Sequence, residues 1–495
     1  MASRSLYGRK PIYTDVEEIT SQNVCEVLDD LMPTQQTNSN DIDYLYNYYK
    51  GNQDILNRIK DVRPEINNLI VVNRAKEIVD FKTGYLIGSP IVYTPRIADE
   101  KISEGVNLLN DYMVSEDKYS EDTNLINWIH ICGVGYRLIL ADKIGEEDQA
   151  PFEIYTLDPR STFVIRKNDI TKKPLAGVTY VTLTDGSTVV YTVYTATEVF
   201  KIQDGKIIER DTHLLGNIPI VEYIGNDARM GAFEPCISLL DAINLCESDR
   251  QNAIAQFVQA LMVFKNVDIN NETFAGLREY GAVSIPGDAD IKYIADELSQ
   301  TQTQTLVDDM YDSVLTICGM PARSGSGAAS TSDNGVAVML RNGWSNAEAV
   351  AKTTEAMFKR SEKDLLKLVV NIVNSAPGNE ISELKQSDID IHFSRRNYEN
   401  IQEKSQVLIT LLNNPKVHPL LAFQYSGMFP DPDEAYLMSK EYWEAEEEKM
   451  LQSLNEVPVS SYRKQKDTGE EYTVSGYTRG EYGNAVNVED TTEDS

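Results

Sequence analysis

Two stretches of this chain have the residue types of a phosphate cradle. The first is Thr83-Gly84-Tyr85-Leu86-Ile87-Gly88-Ser89-Pro90, where two glycines flank a short apolar run. The second is residues 319–335, GMPARSGSGAASTSDNG, with Arg323 inside it. A phosphate loop aims backbone N–H groups from a helix N-terminus and carries a lysine in the pattern G-x-x-x-x-G-K-[ST]. Neither stretch has that lysine. Around Gly84 the order is helix, glycines, strand, the reverse of a cradle, so the stretch reads as a helix-to-strand corner. Residues 319–335 follow a helix and read as a mobile loop of the kind that carries contacts. Their Ser-Gly-Ser-Gly has no flanking strand to make a nucleophile elbow. Asp308 and Asp309 could hold a metal for nuclease chemistry, but acidic residues are so abundant that one adjacent pair says little. Glu444-Ala445-Glu446-Glu447-Glu448 reads as a solvated helix face. Cys25, Cys132, Cys236, Cys246 and Cys318 lack C-x-x-C spacing, and His130, His213, His392 and His418 are isolated. The odd count of cysteines reads as reduced thiols in a cytosolic environment. On residues alone the chain has no enzyme site, no metal site and no cofactor.

The charge balance narrows the partners. There are 46 basic and 77 acidic residues, a net charge of −31. That argues against coating nucleic acid or lying on an anionic membrane, both of which need basic patches. It leaves room for DNA that passes without sticking. The 495 residues, 41% of them hydrophobic, suffice for two to four domains with sizeable cores. Tyrosine outnumbers phenylalanine 27 to 12, which suits half-wet subunit interfaces. No run reaches the roughly 18 apolar residues of a membrane span, and Met1-Ala2-Ser3-Arg4-Ser5 leads into no signal-peptide segment.

The elements that would position these residues follow from periodicity. Residues 1–40 read as a polar arm with a short helix around 21–32, and 41–59 as a tyrosine-rich helix. A helix is expected over 67–82, with Ile70, Val71, Ala75, Ile78, Val79 and Phe81 on one face. Ile91–Thr94 reads as a strand, then 100–114 and 118–131 as helices. From Gly133 to Asn226 short β-branched runs alternate with turns, two of them the hairpin signals Asp185-Gly186 and Asp204-Gly205. A helix of about 30 residues, roughly 45 Å long, is expected over 233–264. Its middle, Glu247-Ser248-Asp249-Arg250-Gln251-Asn252, is polar on nearly every face, so it must meet neighbouring chains or water. A small α/β insert follows, with a helix at NETFAGLREYG and a returning helix at 303–318. A long helix over 347–374 has Phe358, Leu365, Leu368 and Ile372 in one seam. A strand at 387–395, helices at 400–413 and 432–453, and a patternless acidic tail from about 456 complete the chain.

The order of these pieces resembles that of tailed-bacteriophage portal proteins of the SPP1 type. NNLIVVNRAKEIVDFKTGYLIGSPIVYT resembles the family's opening signature, as does LDPRSTFVI followed by LAGVTYV. Residues 214–264 match best, keeping Pro219, Val221, Glu222, Tyr223, Glu234, Ser248, Asp249 and Asn252. ICGMPARSGSGAASTSDNGVAV resembles the family's Gly/Ser loop, and MFPDPDEAYLMSKE its C-terminal Asp-Pro helix. The match covers about residues 40–450. Trp344 in RNGWSN and the length of the 319–335 loop depart from the pattern.

The resemblance implies an α+β portal fold with a mixed α/β wing, a two-helix stem, a small α/β clip, a long kinked helix and a helical crown. It implies a ring of about twelve subunits at one capsid vertex, with double-stranded DNA passing through. The large and small terminase subunits, the major capsid and scaffold proteins and a head–tail adaptor are the implied partners. No membrane is implied, and the site is the virion, assembled in the host cytoplasm. The implied map is an arm at 1–24, wing at 25–232 with 376–398, stem helices at 233–264 and 302–318, and clip at 265–301. A tunnel-loop region follows at 319–347, a long wing helix at 348–375, crown at 399–453 and a flexible tail at 454–495. Arg323, Arg341 and Lys352 are candidates to face DNA, with inter-subunit pairing or plain solvation as the alternatives. Arg278, Glu279, Asp288 and Asp290 are clip candidates for terminase contact. Glu247, Asp249, Arg250 and Asn252 are stem candidates for contact between subunits. The acidic balance suits a channel wall that repels the duplex and so holds no register. A head–tail adaptor of another kind would be much shorter, and an enzyme using the Gly/Ser loop and clustered acids lacks the lysine and metal spacing it needs.

Overall fold

The computed structural model describes residues 8–61, 64–97, 99–141, 150–258, 261–265, 290–294, 300–321, 343–376, 384–393, 401–429 and 432–455, with short strands between 457 and 479. The chain divides into two compact units, Met1–Arg396 and Asn397–Ser495.

The first unit opens with strand β1 (Ile12–Thr14) and helix α1 (Val24–Tyr49). Strand β1 pairs in parallel with β5 (Thr162–Lys167). Residues 12–14, within the arm expected over 1–24, therefore belong to a sheet. Helix α1 is a single run of 26 residues, where the sequence suggests two helices separated by a linker. The polar stretch Gln35–Asn40 misleads because two of its amides, Gln35 and Asn38, point inward. Asn38 exchanges two hydrogen bonds with the backbone of Lys10, at 2.9 and 2.8 Å, and Gln35 donates to the Arg160 carbonyl. Buried amides with backbone partners cost little and fix orientation.

Helix α2 (Arg74–Leu86) starts seven residues later than the expected 67–82 helix, with the Asn73 side chain capping Lys76 N–H. It also runs through Gly84 instead of breaking there. Gly84 faces open space, so its cost, about 1 kcal/mol relative to alanine, is offset by burial of Thr83 and Leu86 on the other face. The corner to strand β2 (Val92–Pro95) comes after Leu86, as the helix–glycine–strand order suggests. Helices α3 (Glu100–Ser115) and α4 (Lys118–Cys132) follow as expected.

Next come β3 (Val134–Ala141), β4 (Phe152–Leu157), β5, β6 (Pro174–Thr182), β7 (Val189–Tyr194), β8 (Glu198–Gln203), β9 (Lys206–Thr212) and β10 (Ile220–Ile224). They form a six-stranded sheet, β1-β5-β6-β7-β8-β9, and a three-stranded one, β10-β3-β4. Both hairpin signals are found. Gln203 pairs with Lys206 across Asp204-Gly205, whose φ angles are +50° and +70°, the backbone a type I′ turn requires.

Helix α5 (Ile237–Val258) is preceded by a short 3-10 turn, Glu234–Cys236. It has 22 residues, roughly 33 Å, and does not reach the expected end at 264. Residues Leu261–Lys265 are strand β11, antiparallel to β12 (Asp290–Ile294). The run Leu-Met-Val-Phe has the apolar pattern of either element, and a pairing partner about 30 residues on decides it. Helix α6 (Gln300–Ile317) returns against α5. Helix α7 (Trp344–Ser375) is an uninterrupted run of 32 residues, with no internal proline or glycine to kink it. Strand β13 (Ile389–His392) pairs with β2 across nearly 300 residues of chain. Three cores result. One lies between α3, α4, α7 and β2–β13, a second among α1, α2, α5, α6 and β3, and a third inside the six-stranded sheet against the start of α1. All four residues of the expected α7 seam are buried in the first.

The second unit has helices α8 (Ile401–Leu412), α9 (Pro419–Ser426) and α10 (Pro432–Asn455). Helix α9 has no counterpart in the sequence reading; His418 caps it and Pro419 occupies its first turn. The chain after 456, expected to lack pattern, carries β14 (Val457–Val459), β15 (Tyr462–Gln465), β16 (Glu471–Val474) and β17 (Tyr477–Arg479). They nest as β14–β17 outside β15–β16, which valine, tyrosine and threonine in this otherwise polar stretch permit.

Candidate functional site

The polar stripe of α5 is occupied by the chain's own backbone. Asn244, Ser248 and Asn252 recur every fourth residue, so they share one face, about 6 Å apart along the axis. Segment 67–73 lies extended beside them, and alternate residues of an extended chain repeat at about 6.7 Å. The two repeats match closely enough for a ladder. Asn252 Oδ1 accepts from Asn68 N–H at 2.7 Å, Ser248 Oγ from Ile70 N–H at 2.9 Å, and Asn244 Oδ1 from Val72 N–H at 2.8 Å. The helix thus supplies acceptors that a neighbouring strand would normally provide. Asn244 Nδ2 reaches Gln53 Oε1, and all three side chains are buried.

The acceptors on this face of α5 are therefore used without a neighbouring chain, while Asn252 Nδ2 is buried with no hydrogen-bond partner among the described residues. Asn252, expected to face another subunit, turns inward. Glu247, Asp249 and Arg250 lie at the rim with partners in the same chain. Asp249 pairs with Arg58 at 2.7 Å, and Arg250 donates to Gln304 of α6 at 2.7 Å and lies 3.6 Å from Glu247.

A second polar cluster is fully enclosed. Lys118 and Asp122 of α4, Arg137 of β3, Glu362 of α7, Tyr93 of β2 and Tyr223 of β10 converge on one point. Lys118 Nζ is 2.7 Å from Asp122 and 2.9 Å from Glu362, and Arg137 is 2.7 Å from Asp122 and 3.8 Å from Glu362. Both tyrosine hydroxyls donate to Glu362, at 2.5 and 2.6 Å. Two cations face two anions, so the cluster is neutral, the condition for burying charge at acceptable cost. Burial alone would push the Glu362 carboxyl up; Lys118, Arg137 and the two hydroxyls outweigh it and hold it at about 2. The sequence signal for this cluster is a charge interrupting an apolar pattern: Glu362 within the α7 seam and Arg137 inside GYRLIL.

Two more buried carboxylates act as latches. Glu222 accepts from Tyr136 and pairs with Arg166 at 2.8 Å and Arg229 at 2.5 Å. Glu234 pairs with Arg9 at 2.7 Å and accepts from Gly8 and Gly231 N–H, tying the N-terminal segment to the turn before α5.

The remaining sequence candidates are scattered. Arg323 and Arg341, with most of the Gly/Ser loop, lie outside the described residues, as do Arg278, Glu279 and Asp288. Asp290 opens β12, its backbone opposite Lys265. Lys352 is exposed on α7, 3.7 Å from Glu348. It heads a stripe with Lys359, Arg360, Lys363 and Lys367, all within about a third of the helix circumference. The spacing of 352, 359, 363 and 367 makes that stripe readable in the sequence, though only Lys352 was expected. Asp308 and Asp309 are exposed on α6, pointing about 100° apart as adjacent helix positions do. Among the described residues no group of three or more His, Cys, Asp or Glu is placed to hold a metal ion, and no helix is long and apolar enough to cross a membrane.

Comparison with known proteins matches a family model, "Phage portal protein, SPP1 Gp6-like", over residues 30–453. The chain belongs to this phage portal family. A curated relative, the portal protein of Bacillus phage SPP1, is 24% identical over 283 residues, 51% of this chain and 54% of the relative. The aligned part thus spans about half the relative's length. Solved structures that are similar include chains of a native gene transfer agent virion and of its neck. Each is 12% identical, with TM-scores of 0.43 and 0.44, covering 72% and 73% of this chain and 90% and 92% of theirs. The residues that carry the portal resemblance have internal roles in this portal protein. Glu222 and Glu234 are latches, Tyr223 supports Glu362, Ser248 and Asn252 hold the 67–73 strap, and Asp249 pairs with Arg58. They build the fold.

Proposed function

We propose that this portal protein is a structural conduit, without catalysis, in a ring of about twelve copies at one vertex of a phage capsid. Double-stranded DNA enters through it during packaging and leaves through it on ejection. The match of the portal family over 30–453 carries this reading. Helices α5 and α6 serve as the stem, bringing the insert 259–299 to its tip as the clip, where the large and small terminase subunits and later a head–tail adaptor dock. The elements up to β10, with α7 and β13, form the wing against the major capsid and scaffold proteins. The second unit supplies the crown. Residues 319–343 form the tunnel loop, with Arg323 and Arg341 in it, and Lys352 begins the basic stripe beyond it. Arg278, Glu279, Asp288 and Asp290 remain the clip candidates for terminase contact. Glu247, Asp249 and Arg250 keep enough exposure to meet a neighbouring stem. The place of action is the virion, after assembly in the host cytoplasm.

Electron microscopy of the purified protein, averaged down the particle axis, tests the reading. Rings with an open centre support it. Single chains or closed two-fold dimers, persisting when capsid and scaffold proteins are added, would reject it.

A further inference from the structure

Five cysteines are spread through the sequence, and folding brings two together. Cys236 ends the turn before α5 and Cys318 follows the last residue of α6. Their sulfurs are 3.5 Å apart, although 82 residues separate them. Both are buried in the second core, where the two helices enter the body of the unit. A disulfide needs the sulfurs about 1.5 Å closer, a shift within reach of small side-chain rotations.

The surroundings distinguish this pair from the other thiols. Hydrogen bonding from Cys318, and after it the charge of the half-buried Lys82, pulls the Cys236 thiol below its ordinary value despite burial. Cys318 moves the opposite way and keeps its proton. Burial raises Cys25 and Cys246, aided by neighbouring carboxylates, and pushes Cys132 up to about 12. A cavity of about 20 Å³ lies next door, lined by Lys82, His130, Gly319 and Val350. That is room for one water-sized molecule.

We propose that Cys236 and Cys318 form a reversible disulfide under oxidation by hydrogen peroxide, cinching the base of the α5/α6 hairpin. The Cys236 thiolate attacks one peroxide oxygen, the O–O bond breaks, and hydroxide leaves to become water on taking a proton, giving Cys236 sulfenic acid. The Cys318 sulfur then attacks the Cys236 sulfur, the S–O bond breaks, and the hydroxide leaves as a second water with the Cys318 proton. Two thiols and one peroxide become one disulfide and two waters, and a dithiol reductant reverses the change. A reducing cytosol keeps the hairpin open at its base, and an oxidising exterior closes it. The pairing belongs to the single chain, so it stands or falls apart from ring assembly.

The test uses the full-length protein treated with hydrogen peroxide, blocked with iodoacetamide in denaturant and digested without reduction. A linked Cys236–Cys318 peptide is expected, at least about tenfold more abundant than any other cysteine pair and lost on dithiothreitol treatment. The thermal midpoint of the oxidised protein is expected to rise by several degrees and to fall back on reduction. Cys318→Ser should abolish both effects; the wild-type peptide map decides the chemistry even if that variant does not fold. Alkylation of both thiols while Cys25 or Cys246 oxidises first would overturn the proposal. So would a linked peptide with an unchanged midpoint, since nothing would then have been cinched.

Discussion

Glu362 is the most consequential single residue outside the apolar cores. It accepts two tyrosine hydroxyls and faces Lys118 and Arg137 in a space with no water exposure. Glu362→Gln leaves two buried cations against Asp122 alone, and removing one partner of a buried ionic cluster costs about 3–5 kcal/mol. Urea unfolding should show that loss, with the midpoint moved and the slope kept; a change under about 1 kcal/mol would mean the cluster is looser than its distances imply. The pH dependence follows from the same geometry. Unfolded, the carboxyl takes its proton near 4.5, and folded near 2. Its contribution is complete above 4.5 and is lost as pH falls toward 2. His130 adds to the acid loss, because burial, with Lys82 nearby, holds it to about 3, down from 6.5. The unfolded chain accepts that proton first, so stability falls as pH drops from 6.5 toward 3. Acid titration of unfolding should therefore be less steep between pH 6.5 and 4.5 for His130→Gln, and between 4.5 and 2 for Glu362→Gln. This site was half legible: Tyr223 is in the family pattern, but nothing in the order of residues says that Lys118, Arg137 and Glu362 meet. They come from a helix, a strand and a second helix more than 200 residues away.

The α5 stripe shows why elements can be read and their pairing missed. The helix was visible from its periodicity, and its polar middle was visible as an oddity. The sequence could not show that segment 67–73 would be its partner, because that segment's apolar spacing also suits a helix. Val71 and Val72 favour extended backbone, and three acceptors at helical spacing fix the choice. Replacing Asn244, Ser248 and Asn252 together with alanine removes the three backbone bonds of the strap, worth about 1 kcal/mol each, and with them the side-chain bonds Asn244–Gln53 and Asn68–Asn252. The expected loss is about 3–6 kcal/mol. Hydrogen exchange locates it: amides of Asn68, Ile70 and Val72 should exchange far sooner in the variant, while those of β3 stay protected at the reduced global stability. Unchanged protection at 68, 70 and 72 would show that the strap is held by something else.

Across the whole molecule, the order of pieces was easier to read than their edges. Portal identity, the β-rich middle and the two-helix hairpin were all visible, because each depends on runs of ten or more residues. The boundaries moved where short elements depend on distant partners, as with β1, β11 and the strands after 456. Those last strands bear on truncation. β14 pairs with β17 and β15 with β16, so among the described residues every strand partner of the segment lies within it. Deleting residues 457–495 therefore leaves no open strand edge behind. The deleted stretch has four basic and eight acidic residues, so the remainder keeps most of its acidic character and its solubility. The three helices of the second unit end at Asn455 and stay whole. The truncated protein is thus expected to assemble as the full chain does, with the same subunit number by native mass spectrometry and the same thermal midpoint within about 2 °C. Rings from the full chain with none from the shortened chain would place an assembly contact in the tail, and the strand ladders would be its first candidates.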